Sequence, residues 1–181
     1  QGVLVLVTEN AGLWATSRPL RAKLSRMLAG IAVRHYPNLW GACLGDLVAL
    51  GEKGKDGDAA HAVRQEMSIL SMRYFFEDVM DNDFSSSLPS RRREEILLGI
   101  QTEASPLLAH VYSLICQLAT NTVQAGVEDT NASKHYGGLC ADGLHMLIPL
   151  VSVVKPDVLC RAPHDVVAVA LQFLPHVLLR D

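Results

Sequence analysis

The chain has 181 residues, enough for one ordinary domain or for several stacked helix pairs. Its residues are 49% apolar and only 19% charged, which excludes a disordered polar chain. The net charge of −3 excludes the global basic excess of many nucleic-acid binders, though not a local basic patch.

Cys43, Cys116, Cys140 and Cys160 are widely spaced and form no C-x-x-C pair. They read as free thiols of a reducing compartment. Asn131-Ala132-Ser133 is a glycosylation sequon that stays idle without a secretory signal. Leu139 to Val154 is the most apolar stretch, but Asp142 and His145 interrupt it and it is too short to span a bilayer. The chain opens on Gln1 rather than Met, close to an apolar run, so it is expected to be a piece of a longer protein.

Val3 to Trp14 opens with alternating Val and Leu, which fits a buried strand or a helix. Since nothing later offers a pairing strand, it is read as helix. Ser17-Arg18-Pro19 is a helix start, with serine at the cap and proline in the first turn. Leu20, Leu24, Met27, Leu28 and Ile31 follow at helical spacing, and Tyr36-Pro37 ends the helix because proline disfavours helical backbone before it. A second helix carries Leu39, Trp40, Cys43, Leu44, Leu47, Val48 and Leu50. Trp40, at its start, is expected to be a buried plug. Gly51, Gly54 and Gly57 form the loop that stops this helix.

The third helix spans about Ala59 to Met80, with an apolar face so wide that much of its circumference must be covered. Asp81 to Ser87 is a loop. A fourth helix starts after Leu88-Pro89-Ser90 and runs to about Gln124, kinked or broken at Ser105-Pro106. Gly126 to Ser133 reads as a polar loop, Leu139 to Val154 as a fifth helix kinked at Pro149, and Asp165 to Leu179 as a sixth. Faces too wide for isolated helices imply neighbours on both sides. The architecture is therefore all-α, an α-solenoid of antiparallel helix pairs or, since the period is not clean, a compact bundle.

Several features of this order resemble the exportin branch of the importin-β superfamily, and exportin-5-type receptors most. Arg34-His35-Tyr36-Pro37 leading to Leu39-Trp40 is similar to a family junction in which Trp-Pro closes one helix and Trp-Pro opens the next. Here Tyr36 and Gly41 replace a Trp and a Pro. Phe76-Glu77-Asp78-Val79 looks like the close of the family's next repeat. Leu88-Pro89-Ser90-Arg91-Arg92-Arg93-Glu94-Glu95-Ile96 is similar to the run that follows it, and Gly143-Leu144 to Val154 to the repeat after that.

The resemblance implies that residues 1–181 are a HEAT-repeat segment, an exportin-1-like region, of a larger receptor and not an enzyme. It implies inner helices at Tyr36 to Leu50, Arg91 to Gln124 and Asp165 to Leu179, with their partners facing outward. It further implies Ran-GTP, export cargo (protein or structured RNA) and nucleoporins as partners, shuttling between nucleus and cytoplasm, and no membrane, metal or cofactor. The other readings of the residues are a helical-repeat adaptor without Ran dependence and a small helical enzyme.

Arg91, Arg92 and Arg93 are the candidate partner-binding residues, facing an acidic protein surface or RNA phosphates. The alternative is a solvated helix start, since Glu94 and Glu95 nearly neutralise the run. Glu77, Asp78, Asp81 and Asp83 form an acidic helix end without the glycine and terminal glutamate of a calcium loop. Gly51-Glu52-Lys53-Gly54-Lys55 lacks the spacing of a phosphate loop, and the seven histidines form no metal motif. His110 and His145 read as core or boundary residues.

Overall fold

The computed structural model describes residues 17–52, 59–80 and 88–154, together with Gly2, Val5 and Glu9. Five helices occupy the three continuous stretches: α1 (Arg18–His35), α2 (Cys43–Glu52), α3 (Ala59–Met80), α4 (Ser90–Glu128) and α5 (Thr130–Val153). No strand occurs among the described residues, so the chain is all-α. The expected first helix falls largely outside these residues, although Gly2, Val5 and Glu9 are helical. The sixth helix, Cys160 and the loops around Gly54 and Ser85 lie outside them.

The chain divides into two compact units, Gln1–Ile100 and Gln101–Asp181. In the first unit, α1 and α2 both pack on α3. Ser25 meets the Met67 carbonyl and Tyr36 meets the Phe75 ring, so α1 and α3 run parallel. The Ser68 hydroxyl donates to the Leu47 carbonyl at 2.6 Å, while Gly51, further along α2, sits beside Gln65, so α2 runs antiparallel to α3. Alternate helices parallel and successive helices antiparallel is the order of stacked helix pairs, as a HEAT-type repeat requires.

The starts and stops follow local chemistry. Ser17 caps α1 through its carbonyl, which accepts from the Arg21 amide at 3.1 Å, and its side chain makes no cap bond. Pro19 lies in the first turn, where no amide donor is needed. Tyr36 terminates α1 in extended conformation before Pro37.

The inward face of α1 differs from the expected one. Leu20 and Met27 are exposed, and the buried positions are Arg21, Ser25, Leu28, Ala29, Ala32 and Val33. Every residue of α3 from Val63 to Met72 is buried, so the broad coverage expected of this helix holds. Leu28, Leu50, Val63 and Met67 form one apolar cluster, with Leu24 and Ala60 against it. Two polar members of that run, Glu66 and Ser71, find partners within this unit, although Glu66 Oε1 accepts no hydrogen bond among the described residues. Arg21 Nε donates to Glu66 Oε2 at 2.8 Å, Arg18 approaches the same carboxylate at 3.5 Å, and the Ser71 hydroxyl turns back onto the Met67 carbonyl at 2.6 Å.

In the second unit, the body of α4 packs antiparallel on α5. The Ser133 hydroxyl donates to the Thr122 carbonyl at 3.2 Å, while Cys140 and Gly143, further along α5, lie against Ile115. A Cβ on Gly143 would stand 2.9 Å from the Ile115 side chain, so the missing side chain sets the close approach. Pro106 neither breaks α4 nor ends it, and the helix spans 39 residues in all.

The polar loop expected at Gly126 to Ser133 shrinks to Asp129. Its carboxylate accepts from the Asn131 and Ala132 amides at 2.9 and 3.1 Å and caps α5 at once. α5 is therefore 24 residues long, and by length and composition alone it is long and apolar enough to cross a membrane. Its buried Ser133 and Asp142, and its packing on α4, assign it to the core of this unit.

Candidate protein-interaction site

The Arg91–Arg93 run opens α4 and adjoins the end of α1. Tyr36 makes this junction. Its ring is fully buried, edge-on to Phe75 at 5.8 Å, and Phe75 is in turn edge-on to Phe76 at 5.5 Å. Gly99 of α4 accommodates the phenol, since a Cβ there would stand 2.9 Å from the hydroxyl oxygen. Tyr36 thus fills the place that the sequence reading gave to Trp40. Trp40 precedes α2 and is only half-buried, with its indole N–H donating to Asp46 Oδ2 at 2.7 Å. Leu39, expected in the helix, is exposed. The helix begins four residues later than its apolar pattern because Tyr36 to Ala42 are spent on the turn after Pro37.

The three arginines take three different positions. Arg91 is 92% exposed and, among the described residues, pairs with the Glu95 carboxylate at 3.5 Å. Arg92 is 19% exposed and reaches back to α1. One amino group donates to the Val33 carbonyl at 3.2 Å and to the Tyr36 carbonyl, and the other meets Glu95 at 3.2 Å. Arg93 is half-buried.

Arg92 therefore complements the negative end of one helix dipole while sitting at the positive end of its own. Of the three, Arg91 alone is exposed, as a solvated helix start would have all of them. Arg92 is a clamp on the end of α1. The signal for that division lies in carbonyls 56 and 59 residues away, so the run itself does not carry it.

The acidic helix end is also committed. Arg26 of α1 pairs with Asp78 at 2.6 Å and Glu77 at 3.7 Å, lies over the Tyr74 ring at 5.1 Å, and shares Glu77 with Arg73. Asp81 and Asp83 lie outside the described residues. His145 is exposed rather than a core or boundary residue, and His110 is half-buried. Burial, and secondarily the nearby Cys116, push the Cys140 thiol above its ordinary pKa. It is a core thiol, not a nucleophile.

Sequence reasoning missed the buried polar group formed by Arg21, Ser25 and Glu66. Its only sequence signal was a pair of polar residues breaking the apolar pattern of α1.

A sequence model of the exportin 1-like protein family matches residues 17–175. The chain belongs to the exportin 1-like family. No curated protein and no solved structure matches it. Exportin 1-like proteins are nuclear transport receptors built from helical repeats, and the alternating helix directions of α1, α2 and α3 are those of such repeats.

Proposed function

We propose that this exportin 1-like chain is a HEAT-repeat segment, spanning residues 1–181, of a larger nuclear export receptor of the exportin-5 type. That receptor binds GTP-loaded Ran and cargo cooperatively, contacts nucleoporins and shuttles between nucleus and cytoplasm. Its cargo is protein or structured RNA. The observation that carries the reading is the family match across residues 17–175.

Within it, the exposed Arg91 supplies the charge that meets an acidic face of Ran or cargo, Arg92 holds the helix start that presents it, and Arg93 flanks the site. An exposed guanidinium acts over a long range and is screened by salt.

The test is Arg91→Glu in the full-length receptor, titrated with Ran carrying a non-hydrolysable GTP analogue at low and high salt. Weakened binding at low salt, converging with wild type as salt rises, supports the assignment. Unchanged affinity at low salt leaves Arg91 as a solvated helix start. Failure of wild type to bind Ran at all makes the protein a helical-repeat adaptor.

A further inference from the structure

We propose that the outward face of α1 is a second interaction surface, separate from the Arg91 site, and that it docks an acidic amphipathic helix of a protein partner. The residues are Lys23, Met27, Gly30 and Arg34, with Leu20 at one end. Positions 23, 27, 30 and 34 follow helical spacing and form one stripe. Met27 is 46% exposed and Leu20 is 39% exposed, against a helix whose inward face is otherwise fully covered. Among the described residues, no atom beyond the local helix backbone lies within 4 Å of the Cβ position on Gly30, so the stripe has a dent in the middle where another backbone can approach.

Charge selects the occupant. α1 contains no acidic residue. Arg18, Arg21, Arg26, Arg73, Arg91 and Arg92 of this unit each lie within ion-pair distance of a carboxylate. Among the described residues, Lys23 and Arg34 are exposed and take part in no ion pair, and both lie on this stripe. Eleven residues separate them, about 16 Å along the axis at the helical rise. They bracket Met27, a flexible apolar side chain suited to variable contacts.

The complementary ligand is a helix with two carboxylates about three turns apart and apolar residues between them. An anionic membrane fits less well, because surface recruitment of that kind uses roughly four to eight clustered basic residues. A nucleic acid backbone offers nothing to Met27 and Leu20.

The test uses the whole 181-residue chain and a fluorescein-labelled synthetic helix of about 18 residues. The peptide carries two glutamates eleven positions apart with leucines between. Its control carries glutamine in place of both glutamates. Anisotropy titrations at low salt should show binding of the acidic peptide. Lys23→Glu with Arg34→Glu should weaken it at least about tenfold, and Met27→Ala should weaken it without changing its salt dependence. Lys134→Glu, in the second unit, and Arg91→Glu should have no effect, which separates this surface from the Ran site. Thermal melts should fall only slightly on the double reversal, since both side chains are exposed and Arg34 lies in the last turn of α1, where a carboxylate opposes the helix dipole.

Affinity unchanged by the double reversal would overturn the proposal. Equal affinity for the glutamine peptide, or no binding at all, would do the same. Preferential capture by phosphatidylserine vesicles would assign the face to membranes instead. Concentration-dependent self-association abolished by the double reversal would assign it to a second copy of the chain.

Discussion

Replacing Arg92 by glutamine should destabilise the chain, although replacing its neighbour Arg91 in the same way should not. The Arg92 guanidinium donates to two carbonyls at the end of α1, those of Val33 and Tyr36, from a site only 19% exposed. Hydrogen bonds from charged donors contribute roughly 1.5–3 kcal/mol, and the carbonyls left behind would be partly shielded from water. Against that stands the unfavourable placement of a cation at the start of α4, about 0.3–1 kcal/mol. The net loss is about 1–2.5 kcal/mol, or roughly 2–10 °C in Tm for a chain of this size.

Arg91 makes a long contact to Glu95 with its side chain in water, an arrangement that contributes between about 0 and 1 kcal/mol. Relief of the dipole penalty offsets most of that. Denaturant titration of the two single variants side by side measures the difference. Equal midpoints for Arg91→Gln and Arg92→Gln would refute the division of the triplet. So would a clear stabilisation by Arg92→Gln, the outcome expected if all three arginines were solvated.

Gly99→Ala should destabilise despite alanine's better helix propensity, because its Cβ would stand 2.9 Å from the fully buried Tyr36 hydroxyl. Overpacking costs roughly 1–3 kcal/mol against a propensity gain of about 1, and Tyr36→Phe in the same background should recover part of the loss in a denaturant series. Tyr36→Ala should cost about 3–5 kcal/mol, and Trp40→Ala about half as much, since the indole is only half-buried; reversal of that order in urea melts would put the plug back at Trp40. Glu66→Gln, which leaves Arg21 buried without its counter-ion, should cost roughly 3–5 kcal/mol, and Arg21→Met with Glu66→Leu should restore most of it. Cys140 should react with iodoacetamide more slowly than the half-exposed Cys116. Because folding raises its pKa, the unfolded thiol ionises first, so its contribution to stability is complete below the ordinary value of 9.0 and is lost as pH rises through the folded pKa. A pH series of melts compared with Cys140→Ala reads this slope.

The elements with sharp chemical boundaries were legible in the sequence. Ser17-Arg18-Pro19 and Tyr36-Pro37 bracket α1 where expected, and α3 occupies Ala59–Met80 as its wide apolar face required. α5 begins nine residues before the expected Leu139, because its first turn is set by exposed Thr130, Asn131 and Lys134 and by a buried serine, Ser133, none of which adds to an apolar period. Its start rests on the Asp129 cap.

Apolar spacing on α1 pointed to Leu20 and Met27 as core, yet the helix turns Arg21 and Ser25 inward. Glu66 and the Met67 carbonyl await them there, partners more than forty positions away in sequence. At the candidate site the arginine run was plain, but its separation into a solvated residue and a clamp depends on where the α1 carbonyls end. Local sequence sets where α1 stops, at Tyr36-Pro37, but not that this end lies against the start of α4.

The account stands most directly on discrimination between the two nucleotide states of Ran. The full-length protein should be immobilised and offered Ran loaded with a non-hydrolysable GTP analogue or with GDP, each with and without nuclear extract as the cargo source. Strong retention of the GTP form, increased further by cargo and absent with GDP, is the expected result. Equal retention of both forms, or none of either, would contradict the assignment of this exportin 1-like chain to a Ran-dependent export receptor.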